Sequence, residues 1–211
     1  MHFSPKKLTA SKLGNFIPKR HGKFTRPIGN LILKSAGWQV VGEPPNTPQA
    51  VLLAVPHTSN FDGLYAVGTI LALDIDAKLM GKKELFQYPI LSHFLRWGGM
   101  IPIDRGKKGS VLDASVALFK TGKPLWLALA PEGTRKYTDA WKTGFYYIAW
   151  RAGVPIIPIA MDYGSKQIRF MTPFYPTGDI DADLPKIYDY YRDVKAKIPQ
   201  NLSKPLQAIN H

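Results

Sequence analysis

Apolar positions along this chain fall into two spacings, and the spacings take turns. Continuous apolar runs of strand length occur at Trp38–Val41, Val51–Val55, Pro124–Ala130 and Val154–Met161, with shorter candidates at Lys78–Met80 and Met100–Ile103. Gln167–Met171 reads as an edge strand. Between them lie stretches of helical period. Ile28, Leu31, Ile32 and Ala36 mark a helix over Pro27–Ala36, stopped by Gly37. Asp62–Leu73 is a second helix with Asp62 near its start. Val111–Lys120 closes at Gly122 and Gly144–Ala152 at Gly153, and Asp183–Lys197 is a polar, tyrosine-rich C-terminal helix. Strands alternating with helices predict an α/β fold: one domain with a mixed, largely parallel sheet flanked by helices.

Charge changes that picture at one end. From Met1 to Gly42 there is no acidic residue, whereas Lys6, Lys7, Lys12, Lys19, Arg20, Lys23, Arg26 and Lys34 are basic. Phe3, Leu8, Leu13, Phe16, Ile17 and Phe24 are interleaved with them. Residues 1–42 therefore read as a basic, membrane-facing arm and helix, and 43–211 as the domain proper. The whole chain carries a net charge of +13, which calls for an anionic partner: nucleic acid, anionic lipid or a phosphorylated metabolite. Its 211 residues contain no cysteine, which excludes disulfides, thiolate metal sites and a thiol nucleophile. The longest stretch of low charge, Pro44–Leu73, is interrupted by four prolines and Asp62, so no transmembrane helix is expected. The N-terminus has no apolar segment of signal-peptide type. These features predict a cytoplasmic protein.

Four blocks stand at strand ends, where α/β folds place their chemistry. Val55–Asp62 leaves a strand and opens a helix, carrying His57 and Asp62. If the chain turns between them, the carboxylate can hold one ring nitrogen and leave the other as a general base. The bland alternative is a surface histidine beside a capping aspartate. Leu125–Arg135 ends in Glu132, Gly133, Thr134 and Arg135; glycine admits close backbone approach, and threonine and arginine bind phosphate. Gly98–Arg105 ends in Asp104 and Arg105. Gly153–Ile159 carries Pro155 and Pro158, which imply an edge strand or one that meets no ladder donors there. No serine-hydrolase elbow occurs, and the Asp179, Asp181, Asp183 run has Leu184 where a calcium loop requires glycine.

Together and in this order, the blocks resemble the glycerolipid acyltransferase family. His57 and Asp62 match its H-x4-D block, Gly99–Arg105 its second block, Glu132–Arg135 its E-G-T-R block, and Val154, Pro155 and Pro158 its V-P-x-x-P block. Lys83 and Lys142 are lesser matches, and Pro56 before the histidine is a departure. The resemblance covers about Val51 to Met161. It implies a glycerolipid acyltransferase-like fold and direct acyl transfer from acyl-CoA or acyl carrier protein to a lysophospholipid hydroxyl, first of all 1-acylglycerol 3-phosphate. His57 would be the general base and Asp62 its orienting partner. Arg135, with Gly133 and Thr134, would hold the acceptor phosphate; Glu132, Arg105 and Lys83 are further members of that set. It implies no bound cofactor or metal, and a peripheral position on the anionic cytoplasmic face of a membrane. Glycerol 3-phosphate or another lysolipid would serve the same chemistry. A nucleic-acid-binding module is the competing class; the charge permits it, but the four blocks have no role there.

Overall fold

The computed structural model describes residues 2–22, 24–103 and 110–210. Seven segments of the described residues form the strands β1 (Gln39–Gly42), β2 (Gln49–Val55), β3 (Ala77–Lys82), β4 (Met100–Ile103), β5 (Leu125–Leu129), β6 (Ile156–Asp162) and β7 (Gln167–Phe170). They pair in the order β1-β7-β6-β2-β5-β3-β4. The five strands from β6 to β4 are parallel to one another. β7 runs antiparallel to β6, and β1 runs parallel to β7, so the sheet is mixed but largely parallel.

Residues one apart on β2 face opposite layers, as the pleat requires. Ala50 and Leu52 pack with Leu33, Ile70, Leu73 and Trp126, under helices α1 (Thr25–Ser35) and α2 (Asn60–Leu73). Val51, Leu53 and Val55 pack on the other side with Phe119, Phe145, Ile148, Ile187 and Leu206. Those residues belong to α4 (Ser110–Lys120), α5 (Gly144–Ala152), α6 (Ile180–Asp189) and α7 (Lys204–Ile209). Both faces of β2 are buried, which explains why its sequence is a run rather than an alternation. One further helix, α3 (Pro89–Trp97), follows β3 through a 3-10 turn at Lys83–Gln87.

The α1–α2 crossing depends on two glycines. A Cβ at Gly29 would stand 2.3 Å from the Ala72 nitrogen, and one at Gly68 2.9 Å from Ile32 Cγ2. Close approach there fixes α2, whose N-terminus bears the candidate site.

Two expectations are corrected, and one pair of alternatives is decided. The strand containing Pro155 and Pro158 is not at an edge: β6 lies between β2 and β7 and is buried throughout. It meets no donor demand at Pro158. Met171 donates to the Pro158 carbonyl, and beyond it Ile156 and Phe174 exchange bonds one residue out of step with the Ile159–Phe170 pair. The register shift falls where the N–H is missing. β7 is not an edge strand either, because β1 covers it. The C-terminal helix starts earlier and stops sooner than Asp183–Lys197. Asp179 caps it by accepting from the Ala182 N–H at 3.1 Å, and Asp193 turns the chain with φ of 65°.

The arm is stitched to the sheet. Lys7 bridges Val41 and Lys19 bridges Ile75. Leu8, Leu13 and Ile17 are buried in the core, whereas Phe16 and Phe24 are exposed.

Candidate active site

The strand C-termini converge as expected for this topology. β2 delivers His57, β5 delivers Glu132, β6 delivers Tyr163, and α2 returns Asp62 in its first turn. The Val55–Pro56 peptide is cis. His57 Nδ1 lies 3.4 Å from Asp62 Oδ2, so the turn needed to bring the two together is present. The histidine side chain is 26% exposed and the aspartate fully buried, which leaves the ring edge open to a ligand.

Asp62 does two things. As the third residue of α2 it accepts from the N–H of Ser59, the residue that caps the helix, at 2.7 Å, and from the Thr58 N–H at 2.7 Å. It also accepts from Ser59 Oγ at 2.9 Å and Tyr163 OH at 2.5 Å, on its other oxygen. Burial opposes its charge, but the hydrogen bonds from His57, Tyr163 and Ser59 outweigh that and hold the carboxyl below its usual range. Near neutral pH it is an anion fixed against the ring. Ser59 spends its hydroxyl proton on this carboxylate, so it is poorly placed as a nucleophile.

Glu132 lies beneath the histidine. Its Oε1 accepts from the His57 backbone N–H at 3.1 Å, tying β5 to the turn after β2. Its Oε2 is buried and has no hydrogen-bond partner among the described residues. Burial pushes this carboxyl up to about 7, against the opposing pull of its own N–H, the His57 N–H and the His57 ring. Tyr191, buried nearby, donates to the Leu53 carbonyl at 2.8 Å, and its hydroxyl is driven well up by burial and then by the Glu132 charge.

Arg135 reaches back across the mouth. Its Nη1 donates to Asn60 Oδ1 at the first residue of α2. Its guanidinium thus stands beside the start of α2, where a cationic fork can meet an anionic ligand group. Gly133 has φ of +63° and lies under Lys142; a Cβ there would stand 2.8 Å from Lys142 Cε. Thr134 Oγ1 accepts from the Lys136 N–H at 3.2 Å and is half-buried. Lys83 is exposed on the turn after β3. β3 lies two strands from β2, roughly 10 Å across the sheet, so Lys83 shares the end of the sheet but not the histidine's immediate surroundings. It lines a shallow cleft with Phe86, Arg96 and Pro102. Arg105 lies outside the described residues.

The main residue that pattern reading misses is Tyr163. Its signal is positional: it is the first residue past a strand that ends at the same edge of the sheet as β2. Burial and the Asp62 bond push its hydroxyl well above the usual tyrosine range, so it stays a donor.

Residues 39–162, more than half of the chain, match the sequence model of the acyltransferase family. The chain belongs to the acyltransferase family. Its curated relatives include proteins named 1-acyl-sn-glycerol-3-phosphate acyltransferase. The one from Limnanthes douglasii is 26% identical over 203 residues, covering 87% of this chain and 71% of that protein. The one from Salmonella typhimurium is 30% identical over 120 residues, covering 54% and 47%. A chloroplastic one from Brassica napus is 28% identical over 111 residues, covering 50% and only 32%. Thus the match spans less than half the length of two of these three relatives. The fold of this chain is also that of PlsC, the 1-acyl-sn-glycerophosphate acyltransferase of Thermotoga maritima. The TM-score is 0.58 at 20% identity, over 80% of this chain and 75% of the other. The match covers His57, Asp62 and Glu132–Arg135.

Proposed function

We propose that this chain transfers a fatty acyl group from a thioester, acyl-CoA or acyl carrier protein, to a hydroxyl of a lysophospholipid, with 1-acylglycerol 3-phosphate as the first acceptor and phosphatidate as product. The observation that carries this reading is the His57–Asp62 pair, 3.4 Å apart at the mouth of an acyltransferase-family sheet. Relatives named for this acceptor support it.

His57 Nε2 takes the proton of the acceptor hydroxyl as its oxygen attacks the thioester carbonyl. Asp62 holds Nδ1–H and stabilises the imidazolium. The tetrahedral intermediate collapses, the carbon–sulfur bond breaks, and the departing thiolate recovers the proton from His57. Arg135, beside the start of α2, takes the acceptor phosphate with Thr134 and the Gly133 backbone. The protein works as a peripheral partner of an anionic, cytoplasmic membrane face, where its excess of lysine and arginine is favoured.

The test is thioester consumption by the purified protein with acyl-CoA or acyl carrier protein donors and a panel of lysolipids and glycerol 3-phosphate. His57→Ala is expected to lose roughly 10²–10⁴-fold in turnover. Near-normal turnover in that variant refutes the general-base role, and preference for glycerol 3-phosphate replaces the acceptor.

A further inference from the structure

The three helices on one face of the sheet present large apolar side chains to solvent. On α3, Ile90, Phe94 and Trp97 are spaced i, i+4, i+7 and are 77%, 63% and 47% exposed. At the start of α1 and along it, Phe24, Ile28 and Leu31 repeat that spacing and are likewise exposed. On α2, Phe61 and Leu64 continue the surface. A monomeric soluble protein seldom leaves three neighbouring stripes of large apolar residues open.

α3 belongs to this layer for two reasons. β2-α2-β3 and β3-α3-β4 step in the same direction across the sheet, and right-handed crossovers then put α2 and α3 on the same face. Arg20 joins their ends: its N–H donates to the Asp74 carbonyl just past α2, its guanidinium donates to the Trp97 carbonyl and lies 5.6 Å from the Trp97 ring.

The charge around the stripes has one dominant sign. No acidic residue occurs from Met1 to Gly42 or from Tyr88 to Ile103, whereas Arg20, Lys34 and Arg96 flank the apolar rows. Long cationic side chains around an apolar surface suit a bilayer boundary, with stems in the apolar zone and heads among phosphates. A second copy of this chain would bring like charges together. The arm cannot insert through Leu8, Leu13 or Ile17, because these are buried in the core.

We propose that the outer face of α1, α2 and α3 docks on an anionic lipid leaflet, with Ile90, Phe94 and Trp97 set among the acyl chains and Arg20 and Arg96 at the headgroups. The proposal takes its purpose from the acyl-transfer reading. α2 carries Phe61 on this face and Asp62, the next residue, in the site. A lysolipid held in the docked leaflet would reach the histidine around the N-terminus of α2.

The experiment is sedimentation of the full chain with vesicles of phosphatidylglycerol and phosphatidylcholine. Ile90→Glu/Phe94→Glu is expected to weaken vesicle binding by at least about tenfold, with an unchanged melting temperature. Turnover of a short-chain lysolipid kept monomeric in solution should also be unchanged. In a second measurement, brominated lipid should quench fluorescence that disappears in Trp97→Phe. Unchanged vesicle binding by the double variant overturns the proposal. So does loss of a dimer in sedimentation velocity while vesicle binding persists. Face-dependent binding by a protein that acylates no acceptor would uphold the docking surface and sink the acyl-transfer reading instead.

Discussion

Glu132 offers a test of the site's electrostatics that needs no substrate. Its carboxyl is 4% exposed, holds the His57 N–H with one oxygen and leaves the other without a hydrogen bond. Burial raises it from 4.5 to about 7. Because the folded value is the higher one, the native protein keeps a proton that the unfolded chain has already released between those two values. Stability from this group is therefore complete below about pH 4.5 and is lost as pH rises to about 7. At about 1.4 kcal/mol per pH unit, the window of roughly 2.5 units corresponds to about 3 kcal/mol. Asp62 acts in a separate window, because its carboxyl is lowered from 3.8 and its contribution fades only as pH falls further. Glu132→Gln keeps an acceptor for the His57 N–H and removes the titration. Urea unfolding of both proteins from pH 4.5 to 8 should show the variant gaining on the wild type by up to about 3 kcal/mol. Parallel stability curves would refute the reasoning and mean that Glu132 ionises in the fold as it does in water.

Tyr163→Phe removes the hydroxyl that donates to Asp62 Oδ1 at 2.5 Å. Loss of a charge-assisted bond should cost about 1.5–3 kcal/mol in denaturant unfolding at neutral pH. It should also lower kcat/KM, because Asp62 loses one of the bonds that fix it against the His57 ring; an unchanged kcat/KM would separate Tyr163 from the dyad. Arg135→Ala should raise KM for a phosphate-bearing acceptor far more than it lowers kcat, with stability changed by less than about 0.5 kcal/mol because the side chain is exposed. Equal KM values for the two proteins would remove Arg135 from phosphate binding.

The fold was legible where burial is simple. β2, β5 and β6 lie between other strands, so both faces are apolar and each reads as a run. Errors arise where one residue serves two elements. Pro158 leaves an edge strand and a strand without ladder donors both open, and β6 is the second: it is interior and accommodates the proline through a register shift against Met171 and Phe174. Tyr191 looks like one more residue of a polar helix, yet it is fully buried and its hydroxyl is tied to Leu53, beyond the last turn of α6. α3 has no place in the strand-and-helix pattern read from the sequence, although Pro89 at its first position and Gly98 after it are ordinary boundary signals. Its apolar row faces outward and contributes no residue to either core cluster.

The same distinction holds at the site. His57 and Asp62 are five residues apart, so one turn of chain brings them together and spacing is enough to nominate them. Glu132 is 75 residues from His57 and Tyr163 is 101 from Asp62. Only the parallel order β5-β2-β6 brings those two side chains to opposite sides of the pair. A histidine positioned from its backbone by one carboxyl and from its ring by another is a property of the sheet, and no linear motif carries it. That is why E-G-T-R, read along the chain, points to phosphate binding through Arg135, while in the fold its first residue faces inward to the His57 backbone and its last faces out to Asn60.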